Sequence, residues 1–251
     1  MALYIIGIGL SDEKDITIKG LEAVKRCSQV YLETYTSVLQ CSTKDLERFY
    51  GKKVIPADRN LVENKADDII DRAKEKDVAL LVAGDPMSAT THVDIMLRAK
   101  EKGIDVRVIH NASVLTAVGI TGLQLYKFGR TTSIPFPENV KAEAPYDILK
   151  QNKAGSMHTL ILLDLDPRKD RFMTIKDAID ILNGIEEKRK EKVFTRDTLV
   201  VGCARLGSDD FFIKAGKAED LEEVHFGKPP YCLIVPSGLH FMEEEALKGF
   251  S

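Results

Sequence analysis

Three short stretches of glycine and small polar residues carry the chemistry that the residue types of this chain allow. They are Gly7-Ile8-Gly9-Leu10, Gly84-Asp85-Pro86-Met87 and Asn111-Ala112-Ser113-Val114. Glycine permits a tight turn and lets a ligand approach the backbone closely. The first stretch invites a dinucleotide reading, but the third glycine of that fingerprint is missing, and a plain strand exit explains it equally well. In the second, Pro86 fixes the turn and is expected to expose Asp85, whose carboxylate can accept hydrogen bonds from a ribose or an ammonium group. A bare turn is the alternative. In the third, Ser113 either caps a helix or binds a ligand.

Other chemistries find no support. The five histidines, at positions 92, 110, 158, 225 and 240, have no HxH or HxxxH spacing, which argues against a metal site; His92 is expected to be structural. There is no GxSxG elbow, no Walker A loop and no HExxH. The four cysteines form no CxxC pair, and a reducing cytosol is their natural setting. What remains is a reaction that needs neither metal nor nucleophilic residue. Methyl transfer from S-adenosylmethionine is one, because the sulfonium is already activated and the enzyme has mainly to align the partners.

The elements that must position these stretches read as strands alternating with helices. Strands are expected at 3–8, 30–33, 78–83 and 106–109. Helices are expected from Thr17 to about Cys27, from an Asn64 cap through Ala66, Ile69, Ile70 and Ala73, and from 91 to 102, ending at Gly103. Each small-residue stretch directly follows a strand. The second half repeats the class without the sequence, with strands at 159–165, 199–203 and 231–235. A helix capped by Thr174 and a closing helix at 242–249 complete it. Pro135, Pro137 and Pro145 mark 136–145 as loop, and the charged run 186–192 reads as a solvated helix end. The 251 residues carry a net charge of −3, with 44% hydrophobic and 30% charged residues. That balance fits a globular α/β protein without a nucleic-acid footprint, and no apolar run is long enough to span a membrane. Two αβα domains, 1–111 and 112–251, are expected, with ligands at strand C-terminal ends or between domains.

The whole chain resembles the diphthine synthase family, within the tetrapyrrole-methylase-like (class III) methyltransferases. The resemblance is carried by Leu3 to Leu10, Asp15-Ile16-Thr17, Glu33-Thr34-Tyr35-Thr36-Ser37, Gly84-Asp85-Pro86 and Ala89-Thr90-Thr91-His92. It continues through Asn111-Ala112-Ser113, then Ala117 to Gly129, His158-Thr159-Leu160, Ala204-Arg205, Gly207-Ser208 and Pro229-Pro230. Gly84-Asp85-Pro86 alone places the chain only in the broad group; Ala117 to Gly129 and Glu33 to Ser37 pick out the family.

The resemblance implies that S-adenosylmethionine lies in a cleft between the two domains, with S-adenosylhomocysteine as product and no metal. Carried over by position, the donor-binding residues are Leu10, Asp85, Ser88, Ser113, Val114, Leu163, Leu206 and Tyr231. Relatives can have His at position 231 and Ala at 206. No catalytic side chain is implied, because solvent can take the proton of the methylated amine. The implied acceptor is the 3-amino-3-carboxypropyl-histidine of translation elongation factor 2, methylated repeatedly to diphthine. A cytoplasmic homodimer is expected. Glu33 to Ser37 and 136–145 are expected to grip the acceptor protein, unless Tyr35 is simply packed, with Lys127 and Arg130 as a local basic patch. A porphyrinoid methylase and a non-catalytic nucleotide-binding module are the rival readings.

Overall fold

The computed structural model describes residues 1–138 and 143–251. The chain divides into two compact units, Met1–Leu115 and Thr116–Ser251.

The first unit runs β1 (Ala2–Gly7), α1 (Ile18–Arg26), β2 (Gln29–Glu33), α2 (Thr43–Tyr50), β3 (Ile55–Ala57), α3 (Ala66–Ile70), β4 (Val78–Val82), α4 (Val93–Glu101), β5 (Asp105–Ile109), and the start of α5 (Val114–Ala117). Its strands form a wholly parallel sheet in the order β3-β2-β4-β1-β5. Alternation along the central strands explains why both faces are covered. Tyr4, Ile6, Ala79 and Leu81 pack on one side with Ala23 and Val24 of α1 and Leu46 and Tyr50 of α2. Leu3, Ile5, Val78 and Leu80 pack on the other with Ile69 and Ile70 of α3 and Ile95 and Ala99 of α4. All crossovers therefore leave the strand C-terminal ends on one edge, where loops can meet.

The second unit continues with β6 (Thr132–Ile134), α6 (Ala144–Ala154), β7 (Thr159–Leu163), β8 (Leu165–Asp166), β9 (Arg171–Phe172), α7 (Ile175–Arg189), β10 (Leu199–Ala204), β11 (Phe212–Lys217), α8 (Ala218–Leu221), β12 (Tyr231–Val235) and α9 (Phe241–Lys248). Its main sheet, β11-β10-β12-β7-β6, is mixed: only β6 and β7 pair in parallel. Leu149 of α6 and Ala178, Ile179 and Leu182 of α7 pack on Ile161, Val200 and Leu233 of the sheet.

Three expectations are corrected. Asn64 does not cap α3; it closes a wide turn over 60–64, Lys65 takes the cap position, and the Asn64 amide bonds Asn60 at 3.2 Å. Pro145 lies in the first turn of α6, where a missing N–H costs nothing. The rest of the expected loop at 136–145 falls partly on 139–142, outside the described residues. The charged run at 186–192 is not merely solvated. The Glu186 carboxylate accepts hydrogen bonds from the Tyr146 hydroxyl at 2.6 Å and from the backbone N–H groups of Lys192, Val193 and Phe194 at 2.7, 2.8 and 3.0 Å. Burial works against its charge, but these donors outweigh it and hold the carboxyl down at about 2.

Candidate functional site

The three small-residue stretches of the first unit leave β1, β4 and β5, which are neighbours in the sheet. They are knitted together by hydrogen bonds. The Gly84 N–H donates to the Gly9 carbonyl at 2.6 Å, bridging the exits of β1 and β4. Gly7 has no room for a side chain: a Cβ there would sit 2.5 Å from the Gly84 carbonyl oxygen and 2.9 Å from both Pro86 and Asn111. The Asn111 amide donates to the carbonyls of Gly7 and Asp15, each at 3.0 Å. Asp15 in turn accepts from the N–H groups of Leu10 at 3.1 Å and Ser11 at 2.6 Å. The loop after β1 thus folds over a carboxylate.

Asp85 is the hub, and here the structure corrects the sequence reading. It is buried, only 8% exposed, rather than presented by Pro86. Oδ1 accepts from the Met87 N–H at 2.9 Å and the Ser88 hydroxyl at 3.2 Å. Oδ2 accepts from the Asn111 N–H at 3.1 Å and lies 2.8 Å from His110 Nδ1. Burial pushes the carboxyl up, but the two backbone donors and His110 outweigh it and hold it below the usual carboxylate range. With four partners, the carboxylate's lone pairs are committed to joining the loops after β4 and β5. Ser88 bonds Asp85, and the buried Ser113 hydroxyl accepts from the Leu115 N–H at 3.2 Å. The Leu10 side chain and the Ala112 carbonyl flank Gly84: a Cβ built there would stand 3.7 Å from each. Leu10, Asp85, Ser88, Ser113 and Val114 are therefore gathered at one sheet edge, lined by small residues and backbone groups.

The second unit gathers Leu163, Leu206 and Tyr231. β12 runs antiparallel to both β7 and β10, so its first residue lies beside their last: Cys232 pairs with Leu162, and Tyr231 pairs with Ala204. Leu163 and Leu206 are buried. Arg205, at φ +52, turns the chain between β10 and Leu206. Its guanidinium donates to the carbonyls of Phe226 at 2.9 Å, Lys228 at 2.5 Å and Asp210 at 2.8 Å. Those bonds hold the segment leading into Tyr231, whose hydroxyl donates to the Gly227 carbonyl.

Two expected acceptor contacts are otherwise engaged. Lys127 pairs with the fully buried Glu243 and donates to the Gly238 carbonyl at 2.5 Å, so it is no free basic patch. Glu243 also accepts from the Gln124 N–H at 2.9 Å and the His240 N–H at 2.8 Å and lies 2.9 Å from His158 Nε2. Tyr35 is buried, with Arg59 over its ring at 5.1 Å; it is packed. Arg130 remains exposed. Near Tyr35, a pocket of about 300 Å³ is lined by Val62, Glu63, Thr91, His92, Asp94 and Ile95. No group of three or more metal-ligating side chains is found among the described residues, and no helix among them is long and apolar enough to cross a membrane.

Comparison with known proteins fits this architecture. The family model for tetrapyrrole (corrin/porphyrin) methylases matches residues 2–222. The chain belongs to that family of S-adenosylmethionine-dependent methyltransferases. Over its whole length it is 47% identical to the diphthine methyl ester synthase of Dictyostelium discoideum, covering 100% of this chain and 98% of that one. It is also 47% identical to the diphthine synthase of Methanococcus aeolicus, covering 98% and 96%. A crystal structure of diphthine synthase superposes with a TM-score of 0.92 at 40% identity, covering 100% of this chain and 96% of that one. Within the methylase family, the chain groups with the diphthine synthases.

Proposed function

We propose that this protein methylates the 3-amino-3-carboxypropyl-histidine of translation elongation factor 2, giving diphthine in diphthamide biosynthesis. The observation that carries this reading is the end-to-end match to the diphthine methyl ester synthase of Dictyostelium discoideum and the diphthine synthase of Methanococcus aeolicus. Donor contacts are proposed at Leu10, Asp85, Ser88, Ser113 and Val114 in the first unit and at Leu163, Leu206 and Tyr231 in the second. The rim of glycine, small side chains and backbone groups suits an adenosine and an amino-acid moiety, as at other α/β sheet edges. At Asp85 the contribution is made by the loop that the carboxylate ties down.

S-adenosylmethionine supplies the methyl group. The acceptor amine must be neutral, because its lone pair forms the new N–C bond as the S–C bond breaks with its electrons staying on sulfur. The amine proton leaves to solvent before each further round. The chain's task is alignment, so no proton-transferring side chain is required. The enzyme is proposed to act in the cytoplasm as a homodimer.

A second reading follows from the Dictyostelium relative, whose name carries a methyl ester: a further methyl would go to the carboxylate of the same side chain. One assay addresses both. Elongation factor 2 bearing the precursor side chain is incubated with the protein and S-adenosylmethionine, and the modified peptide is weighed. Amine methylation is expected, and a base-labile extra methyl would add the ester. No turnover on that acceptor, with turnover on a porphyrinoid, would overturn the proposal. Binding of S-adenosylhomocysteine with no turnover on either would leave a nucleotide-binding module.

A further inference from the structure

Glu33 and His92 form a buried couple that ties the exit of β2 to the loop after β4. Glu33 Oε1 accepts from the Thr36 N–H at 2.8 Å, the Thr36 hydroxyl at 2.5 Å and the Tyr35 N–H at 3.4 Å. Glu33 Oε2 lies 3.1 Å from His92 Nε2. The two atoms are close but not aligned as a hydrogen bond, and neither has another partner among the described residues. On the other side of the ring, Nδ1 lies 3.1 Å from the Pro86 carbonyl oxygen and 2.7 Å from the Thr90 hydroxyl. Glu33 is 4% exposed and His92 1%.

The ring therefore lies between the Glu33 carboxylate on one side and the Pro86 carbonyl and Thr90 hydroxyl on the other. The carbonyl can only accept, the hydroxyl can donate or accept, and the ring reaches both through Nδ1. Removing the ring would leave buried polar groups without their partner, which is costly. Burial raises the Glu33 carboxyl, but the contact with His92 and the hydrogen bonds from the Thr36 hydroxyl and N–H outweigh it and hold the carboxyl below the ordinary range. The other ionisable groups on this pocket are Glu63, which pairs with Arg59 at 3.6 Å, and Asp94 in the first turn of α4, which pairs with Arg98 at 3.4 Å.

We propose that His92, held between Glu33 and the Pro86 carbonyl, is a positioning residue of the donor loop at 84–88. Its hydrogen bond orients the Pro86–Met87 peptide. That peptide also carries the Met87 N–H given to Asp85. The inference rests on the reading of this loop as donor-binding.

The test uses the full chain with S-adenosylhomocysteine, titrated by calorimetry, and kcat measured at saturating donor. Wild type is expected to bind. His92→Leu, checked for folding by circular dichroism, is expected to weaken binding at least tenfold with little change in kcat at saturating donor. His92→Gln, which keeps one donor, should recover part of the affinity. Where His92→Leu does not fold, Glu33→Gln replaces it and is expected to weaken binding. A folded variant that binds as wild type does overturns the inference. Failure of the wild type itself to bind overturns the donor-site reading instead.

Discussion

Asp85→Asn separates a carboxylate that positions loops from one that touches the donor. In the wild type four donors converge on two charged oxygens of a buried side chain. An amide keeps one accepting oxygen. If that oxygen stays toward Met87 and Ser88, the new NH2 group faces the Asn111 N–H and His110, and the link to the loop after β5 is broken. Losing one charge-assisted hydrogen bond and leaving a buried N–H unpaired costs about 2–3 kcal/mol. Urea slopes of about 1–3 kcal/mol per molar turn that into a midpoint shift of about 1 M. The sign with pH follows from the depressed carboxyl of the folded state. Its stabilisation is complete above the unfolded value near 4 and is lost as pH falls through the folded one, so the gap between wild type and variant should close below about pH 4. Donor affinity should fall by about one to two decades, a figure of about 1.4 kcal/mol per decade, because the loops at 84–88 and 110–114 no longer hold register. Unchanged stability with lost affinity would refute this account and make Asp85 a direct ligand contact. Unchanged stability and affinity together would reduce it to an ordinary turn residue.

Three further outcomes are expected. Glu243→Gln should destabilise the protein by about 3–5 kcal/mol in urea denaturation, because it leaves Lys127 and two backbone donors around a buried, uncharged partner. Gly7→Ala should cost about 1–3 kcal/mol through overpacking and abolish measurable donor binding in calorimetry while circular dichroism stays native, since the added methyl meets the Gly84 carbonyl at 2.5 Å. Glu186→Gln should lower stability at neutral pH. Because the wild-type carboxyl sits at about 2, the difference should fade only as acid titration passes from about 4 toward 2.

Much of the first unit was legible because parallel strands buried on both faces are continuous apolar runs, and 78–83 is one. Thr17 and Thr174 cap as their neighbours suggest, Thr174 within a full capping box with Asp177. Several missed elements are short, although α6 with eleven residues and β11 with six are not. β3 and β6 have three residues each, and α2 buries only Leu46 and Tyr50, too few turns for a period to emerge. The exits after β1, β4 and β5 stood out through glycine and small residues. The burial of Asp85 did not, because a Gly-Asp-Pro turn is written the same way whether its carboxylate faces water or two other loops. Lys127 read as a free surface cation for a related reason: its partner Glu243 lies 116 residues away. The Glu33–His92 couple spans about half that gap, and no local spacing announces it.

The conspicuous polar residues of the proposed donor edge are occupied with the protein itself. Asp15 holds the backbone after β1, Asn111 ties that loop to β5, and Asp85 joins β4 to β5. What is left to meet a ligand is backbone, small side chains and apolar surface such as Leu10 and Val114. This follows from the reaction: an activated methyl needs alignment more than acid–base help, so polar side chains serve geometry. Mutational losses at these residues therefore measure how well the loops are placed. The two roles separate by a paired measurement on each variant. A positioning residue loses stability and donor affinity together, and a contact residue loses affinity alone. Leu10→Ala supplies the contrast, because its side chain is half-buried at the edge and holds no loop through hydrogen bonds of its own. It should weaken S-adenosylhomocysteine binding severalfold with under about 1 kcal/mol of destabilisation. A Leu10→Ala variant as destabilised as Asp85→Asn would show that the edge is one packed unit and that the division between scaffold and contact does not hold.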